Sequence, residues 1–316
     1  MNNPMQHQPM QRADWHGVFP AITTPLRADD TIDLELFGRH AAWMVQHGCS
    51  AVVTPGSLGE GGLLSMDEKR SLWRAAVQSV GASVPVVAAV GACSTREAVD
   101  IARAAQAEGC RGLMVLPPYA YRGSWRETRT HFARILESTP LGCMLYNNPP
   151  AYGTDVLPEQ AAELARDHAN LHAVKESSGD IRRMTAIRAV AGDRLCVFVG
   201  IDDMVLEGVA AGAEGWIAGL VNGFPAETVR LFELAVDARA DPARMEDAEE
   251  LYRWFLPLLR LDAVPEFVHL VKLAQARAGW GSERLRLPRL PLEPALRDRA
   301  MSVIDVAMKV RPAIAR

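Results

Sequence analysis

Lysine is scarce in this chain: of 34 basic residues only Lys69, Lys175, Lys272 and Lys309 are lysines, and the remainder are arginines. Arginine stays protonated at any working pH, so a step that needs a neutral primary amine has few candidates. Long apolar runs are missing as well. None approaches the roughly 18 residues of a spanning helix, and the opening Met1–Arg12 is polar without the apolar stretch of a signal peptide, so a soluble cytoplasmic protein is expected. Neither sign of charge dominates, with 34 basic residues against 38 acidic ones. Such a balance leaves no footprint for nucleic acid or an anionic membrane and favours a small-molecule ligand.

Paired cysteines are lacking too. Cys49, Cys93, Cys110, Cys143 and Cys196 are scattered, odd in number and free of any C-x-x-C pair, which predicts reduced, mostly buried thiols rather than disulfides. The eight histidines are dispersed, so no metal site is expected and zinc-dependent chemistry is disfavoured. No G-x-S-x-G elbow marks a hydrolase. The glycine-rich stretch Gly56–Gly62 is neither G-x-G-x-x-G nor followed by G-K-[ST], which speaks against a nucleotide; no cofactor of any kind is expected.

What is present is an alternation. Short apolar runs at Gly17–Ile22, Ser50–Thr54, Pro85–Val90, Gly112–Leu116, Gly142–Tyr146, His172–Lys175, Cys196–Val199 and Gly215–Ala218 read as strands. They are apolar on both faces, as in a parallel sheet covered on both sides. Between and after them, helical periodicity runs through Asp33–His47, Asp67–Val80, Thr95–Glu108, Trp125–Glu137, Pro158–Asp167, Ile181–Ala191, Asp202–Ala211 and Pro225–Ala238. Ser94 with Glu97 has the spacing of a capping box. Eight strand–helix pairs predict a (β/α)₈ TIM barrel over residues 15–238, with a doubly wound open sheet as the alternative. Residues 1–14 are expected to be a disordered tail, and residues 239–316 a C-terminal helical extension packed on the barrel, with helices near Ala243–Leu261, Pro265–Ala278 and Glu293–Val310.

In such a barrel the active site lies at the C-terminal strand ends. Three of these ends are polar: Thr54-Pro55-Gly56-Ser57-Leu58-Gly59-Glu60-Gly61-Gly62 after the second strand, Tyr146-Asn147-Asn148-Pro149 after the fifth, and Lys175-Glu176-Ser177-Ser178-Gly179 after the sixth. Period-2 alternation puts Lys175 on one face with Leu171 and Ala173. If that face is the lumen, desolvation lowers the amine pKa and suits Lys175 to attack a carbonyl. The competing reading is a lysine at a strand end, paired with Glu60 or Glu176. Tyr146 is either a proton shuttle or a core tyrosine, and the Gly56–Gly62 loop offers backbone N–H groups to a carboxylate or phosphate.

Taken together, the three strand ends resemble the dihydrodipicolinate synthase and N-acetylneuraminate lyase family, from about Gly17 to Pro291. The resemblance implies a metal-independent lyase in which Lys175 forms a Schiff base with a small 2-oxo acid. It implies that Tyr146 donates and accepts protons and that Ser57 joins it to Tyr119, with Tyr121 a nearby competitor; in the family that second tyrosine comes from a neighbouring subunit. The substrate would lie against Ser57, Leu58, Gly59, Gly200 and Ile217, in a homo-oligomer, dimer or tetramer. Two positions depart from the pattern. Leu58 stands where many relatives have threonine, and Ala151 stands where true dihydrodipicolinate synthases have an arginine for the second substrate's carboxylate.

The region from Leu251-Tyr252-Arg253-Trp254-Phe255 onward, together with Gly56-Ser57-Leu58-Gly59-Glu60 and Val221-Asn222-Gly223-Phe224-Pro225, is similar to members of sugar-acid and hydroxyproline catabolism, some of them 1-pyrroline-4-hydroxy-2-carboxylate deaminases. The expected reaction is therefore dehydration or deamination of a C4-hydroxylated 2-oxo or cyclic 2-imino acid such as 1-pyrroline-4-hydroxy-2-carboxylate. The alternatives are an aldol-type lyase or synthase using pyruvate and an aldehyde (4-hydroxy-tetrahydrodipicolinate synthase or a 2-keto-3-deoxy sugar acid aldolase) and a non-catalytic 2-oxo-acid-binding regulator.

Overall fold

A computed structural model of the chain describes residues 8–80 and 84–314. All eight expected strands form: β1 (Gly17–Pro20), β2 (Val52–Thr54), β3 (Val86–Val90), β4 (Gly112–Val115), β5 (Gly142–Asn147), β6 (Leu171–Glu176), β7 (Cys196–Val199) and β8 (Gly215–Ala218). They lie parallel in the order β1-β8-β7-β6-β5-β4-β3-β2. The ring closes between its ends through the Ala21–Val53 bridge and the Ile22 N–H, which donates to the Val53 carbonyl at 3.1 Å. Closure removes the two free edges an open sheet would leave, and the fold is the (β/α)₈ TIM barrel.

The helices around it are α1 (Leu34–Gln46), α2 (Met66–Val80), α3 (Thr95–Ala107), α4 (Trp125–Glu137), α5 (Pro149–Tyr152), α6 (Pro158–Asp167), α7 (Arg182–Ala191), α8 (Val205–Ala210) and α9 (Pro225–Ala240). Several of their starts follow from side-chain chemistry. Asp33 accepts the Leu36 N–H at 3.1 Å, Ser94 accepts that of Glu97, and Ser124 forms a reciprocal capping box with Glu127. Each such cap contributes about 1 kcal/mol.

Period-2 alternation sorts the strand residues into two layers. Val18, Val52, Ala88, Leu113, Val174, Val197 and Trp216 pack outward with the helices. Phe19, Val53, Val87, Met114, Met144, Ala173, Phe198 and Ile217 fill the lumen. Its lower part is aromatic: the Phe19 and Phe198 rings are 5.0 Å apart, and Trp15 stands edge-on to Phe198 at 6.3 Å. Gly215 makes room for the Phe198 ring, which a Cβ there would meet at 2.2 Å.

Two expectations need correction. Residues 8–14, expected within a disordered tail, are packed against the barrel; residues 1–7 lie outside those described. Met10 is fully buried, its N–H bonds the Arg111 carbonyl at 2.9 Å, and Met10 and Trp15 plug the lumen from below. An apolar plug is favoured because the lumen residues under it would otherwise face water. The second correction concerns β6. Leu171 opposes Cys143 and Ala173 opposes Met144, so His172 is an extra residue in the ladder, a β-bulge. Leu171 accordingly faces the helices while Ala173 faces the lumen.

Beyond α9 the chain forms α10 (Met245–Leu259), α11 (Phe267–Arg277) and α12 (Pro294–Lys309). This helical extension packs on the barrel through Phe224 and Phe255, whose centroids are 5.9 Å apart, and its own helices are joined by Arg277–Asp305 at 2.7 Å. It also grips the loop after β2. Lys272 on α11 donates to Glu60 Oε1 at 2.8 Å with both side chains almost fully buried, and the Arg286 N–H donates to Glu60 Oε2 at 3.1 Å. Among the described residues no helix is long and apolar enough to cross a membrane.

Candidate active site

The C-terminal ends of the strands surround a cavity of about 550 Å³. Lys175, Tyr146, Ser57, Leu58, Gly200 and Ile217 all line it, from β6, β5, the loop after β2, and the ends of β7 and β8. Lys175 is 7% exposed and its Nζ lies 4.0 Å from the centroid of the Tyr146 ring. Neither carboxylate proposed as its structural partner reaches it. Glu60 is held by Lys272, while Glu176 turns outward to accept from Asn147 Nδ2 at 3.0 Å and the Ser178 N–H at 2.7 Å. Burial lowers the Lys175 pKa below the usual amine range, against the pull of Tyr152, Asp262 and Asp202.

The amine has space because Gly200 has no side chain. A Cβ at that position would sit 2.8 Å from Lys175 Cε and 1.9 Å from Ser177 Oγ. The Ser177 hydroxyl is itself buried without a hydrogen-bond partner among the described residues. Tyr146 Oη accepts from Asn148 Nδ2 at 2.9 Å. Burial raises the phenol pKa, and the Asn148 bond works the other way.

Ser57 bonds a residue that the three strand-end motifs do not contain. Its hydroxyl is hydrogen-bonded to that of Tyr152, whose ring stands edge-on to Tyr146 with centroids 5.7 Å apart. Tyr152 belongs to α5, a single turn that Asn148 caps by accepting the Ala151 N–H at 3.1 Å. The turn signal was readable, since Asn148-Pro149-Pro150 before Gly153 is a cap, an initiator and a stop. Tyr119 does not bond Ser57 of its own chain: it is 38% exposed and lines an adjoining recess, its ring 6.1 Å from that of Tyr152. Burial raises its pKa to about 12. Tyr121 is more exposed still, at 57%.

Gly59 is not in the cavity wall. A Cβ there would meet the Ile22 carbonyl at 2.9 Å, and its own carbonyl accepts from Thr24 Oγ1 at 2.7 Å, so its part is to let the loop pack closely. Leu58 brings an apolar side chain to the wall. Among the described residues the Ser57 and Leu58 N–H groups donate to no protein acceptor, which leaves them for an anionic ligand. Ala151 faces the cavity, and no arginine is among the residues that line it.

Of the cysteines, Cys49, Cys110, Cys143 and Cys196 are buried and Cys93 is exposed; all are free. His168 and His172 have the four-residue spacing of a helical metal pair, but the chain passes from the end of α6 into β6 between them. Among the described residues no three His, Cys, Asp or Glu side chains converge as metal ligands.

This geometry has wide company. Residues 14–307 match the model of the dihydrodipicolinate synthetase family. The 4-hydroxy-tetrahydrodipicolinate synthase of Xanthomonas axonopodis pv. citri is 35% identical over 281 residues, covering 88% of this chain and 90% of that one. The enzyme of the same name from Salinibacter ruber is 31% identical over 293 residues, covering 92% and 95%. Among solved structures, dihydrodipicolinate synthase from Aquifex aeolicus superposes with a TM-score of 0.87 at 25% identity over 92% of this chain and 98% of its own. The chain belongs to the dihydrodipicolinate synthetase family, and it is a lyase of the lysine Schiff-base, class I aldolase type.

Proposed function

We propose that Lys175 attacks C2 of a small 2-oxo acid, or of a cyclic imine equivalent, and that the substrate carries a hydroxyl on C4. The observation that carries the first half is the placement of Lys175: a desolvated amine, unpaired by any carboxylate among the described residues, between Tyr146 and the space kept open by Gly200. The protonated imine is the electron sink. Ser57 and the N–H groups of Ser57 and Leu58 hold the C1 carboxylate. Tyr146 moves protons at the carbinolamine and at C3, and Ser57 with Tyr152 connects that phenol to the cavity mouth. Tyr119 is left at the rim, where a homo-oligomer, dimer or tetramer, brings it towards a neighbouring site.

The second half rests on Ala151. Aspartate semialdehyde would bring a second carboxylate into a cavity without an arginine among its lining residues, and an unpaired buried carboxylate costs about 3 kcal/mol or more. A C4-hydroxylated 2-oxo or 2-imino acid, with 1-pyrroline-4-hydroxy-2-carboxylate the first to try, needs no such partner. The names of the relatives favour a second reading, condensation of pyruvate with an aldehyde, which uses the same lysine. Pyruvate with borohydride should reduce an imine onto Lys175, located by peptide mass spectrometry; label on Lys69, Lys272 or Lys309, or none, would sink the mechanism. Product analysis with the hydroxylated imino acid, 2-keto-3-deoxy sugar acids and aspartate semialdehyde then decides between the two readings.

A further inference from the structure

Asp262, in the turn between α10 and α11, has no part in the chemistry described so far, yet it lines the same cavity as Lys175. Its carboxylate lies over Gly219 just beyond β8, so close that a Cβ at 219 would be 2.4 Å from Oδ1. Among the described residues no hydrogen-bond donor and no cation engages that carboxylate, in contrast to Asp202 nearby. Asp202 is bonded by Trp216 Nε1 at 2.9 Å and by the Leu220 N–H at 2.8 Å. Around the ring β6 stands between β5 and β7, with β8 next. A substrate joined to Lys175 therefore has Tyr146 on its β5 side and Asp262 on its β8 side.

We infer that Asp262 is a second catalytic acid, whose carboxyl protonates the hydroxyl that leaves C4 of the substrate held on Lys175. This rests on the function proposed above and assigns the leaving-group proton within it. Three charged groups face the carboxyl: Lys175, Asp202 and Asp203. Burial and the two aspartates hold it well above the usual carboxylate range, against the pull of the lysine, a shift towards the protonated form that a proton donor needs. A carboxyl is also a far stronger acid than the buried Tyr146 phenol.

The step balances as follows. Loss of the C3 proton from the imine gives the enamine N–C2=C3. The nitrogen lone pair then re-forms C=N⁺, the C2=C3 pair becomes C3=C4, and the C4–O bond breaks. The oxygen leaves as water with the Asp262 proton, which solvent restores. In the condensing direction the same carboxyl would offer no counter-charge to a distal carboxylate, consistent with a neutral hydroxylated tail.

Asp262→Asn in the full chain is the test. The variant should still be labelled by pyruvate and borohydride and still exchange pyruvate C3 protons in D₂O, while elimination from a 4-hydroxy-2-oxo acid falls by about 100-fold or more. A substrate with chloride at C4, which departs without a proton, should react at close to the wild-type rate. Gly219→Ala displaces the carboxyl without removing it, and should reproduce the defect should Asp262→Asn fold poorly. Undiminished elimination of hydroxide, or an equal fall with chloride, overturns the assignment. Failure of the wild type itself to be labelled by pyruvate and borohydride is a different result: it removes the proposed function, and this inference with it.

Discussion

Glu60 and Lys272 form an ion pair at 2.8 Å with side chains 2% and 1% exposed, joining the loop that carries Ser57 to the C-terminal extension. Glu60 holds a left-handed backbone conformation, φ 57°, that a side chain other than glycine rarely adopts. The pair is thus a clamp on a strained turn. Lys272→Met should leave a buried carboxylate without its main partner and destabilise the fold by about 3–5 kcal/mol. Adding Glu60→Leu should recover much of that loss. Denaturant melts of the single and double variants measure both; equal losses in the two would contradict the clamp.

Gly200→Ala should fold and fail chemically. Its methyl would fall 2.8 Å from Lys175 Cε, and a displacement of the proposed nucleophile by about 1 Å costs on the order of 100-fold. The rate of borohydride-trapped imine formation with pyruvate is the readout, with circular dichroism as the control on folding.

Tyr152 and Tyr119 can be separated by conservative change. Tyr152→Phe removes the partner of the Ser57 hydroxyl and should lower turnover by about 100-fold with imine formation preserved. Tyr119→Phe should have its effect only through the assembled oligomer, so its defect should track the state of association seen by analytical ultracentrifugation. A strong defect in a Tyr119→Phe monomer, with Tyr152→Phe unaffected, would reverse the two roles.

Stability should fall in mild acid. His40 is buried on α1 with Nε2 bonded to the Asn222 carbonyl at 2.8 Å, and burial lowers its pKa to about 4. Between that value and the unfolded value near 6.5 the unfolded chain binds the proton and the folded one does not, so stability rises with pH across this window. Acidification through it should cost about 3 kcal/mol. His40→Gln should flatten the curve of melting midpoint against pH between 4 and 6.5; an unchanged slope would remove His40 as the cause.

The fold was legible because each strand is an apolar run followed by a segment of helical periodicity, and a parallel strand buried on both faces cannot look otherwise. The places of Lys175, Tyr146 and Ser57 in the cavity wall were legible because each ends or follows such a run, where a barrel opens its cavity. Tyr152 and Asp262 were not. Tyr152 sits on one helical turn whose cap and stop mark the turn but are too short a pattern to say which way its side chain faces, and Asp262 reaches the cavity from a helix pair remote in sequence. Met10 was lost to the tail because one apolar residue among polar neighbours gives no pattern until a lumen is there to receive it.

The extra residue in β6 sets a parity. Counted from Leu171, which faces the helices, an unbroken pleat would turn Ala173 and Lys175 to the same side and bring Val174 and Glu176 into the lumen. His172, the unmatched residue, shifts the count by one and delivers the amine inward. Hydropathy is nearly blind to the difference, because alanine and valine suit either layer. Pairing His172 into the ladder, instead of leaving it unmatched, would give a strand of acceptable composition whose amine is buried among helices and whose lumen holds a carboxylate. In this barrel the reading frame of a single strand decides whether the amine reaches the cavity.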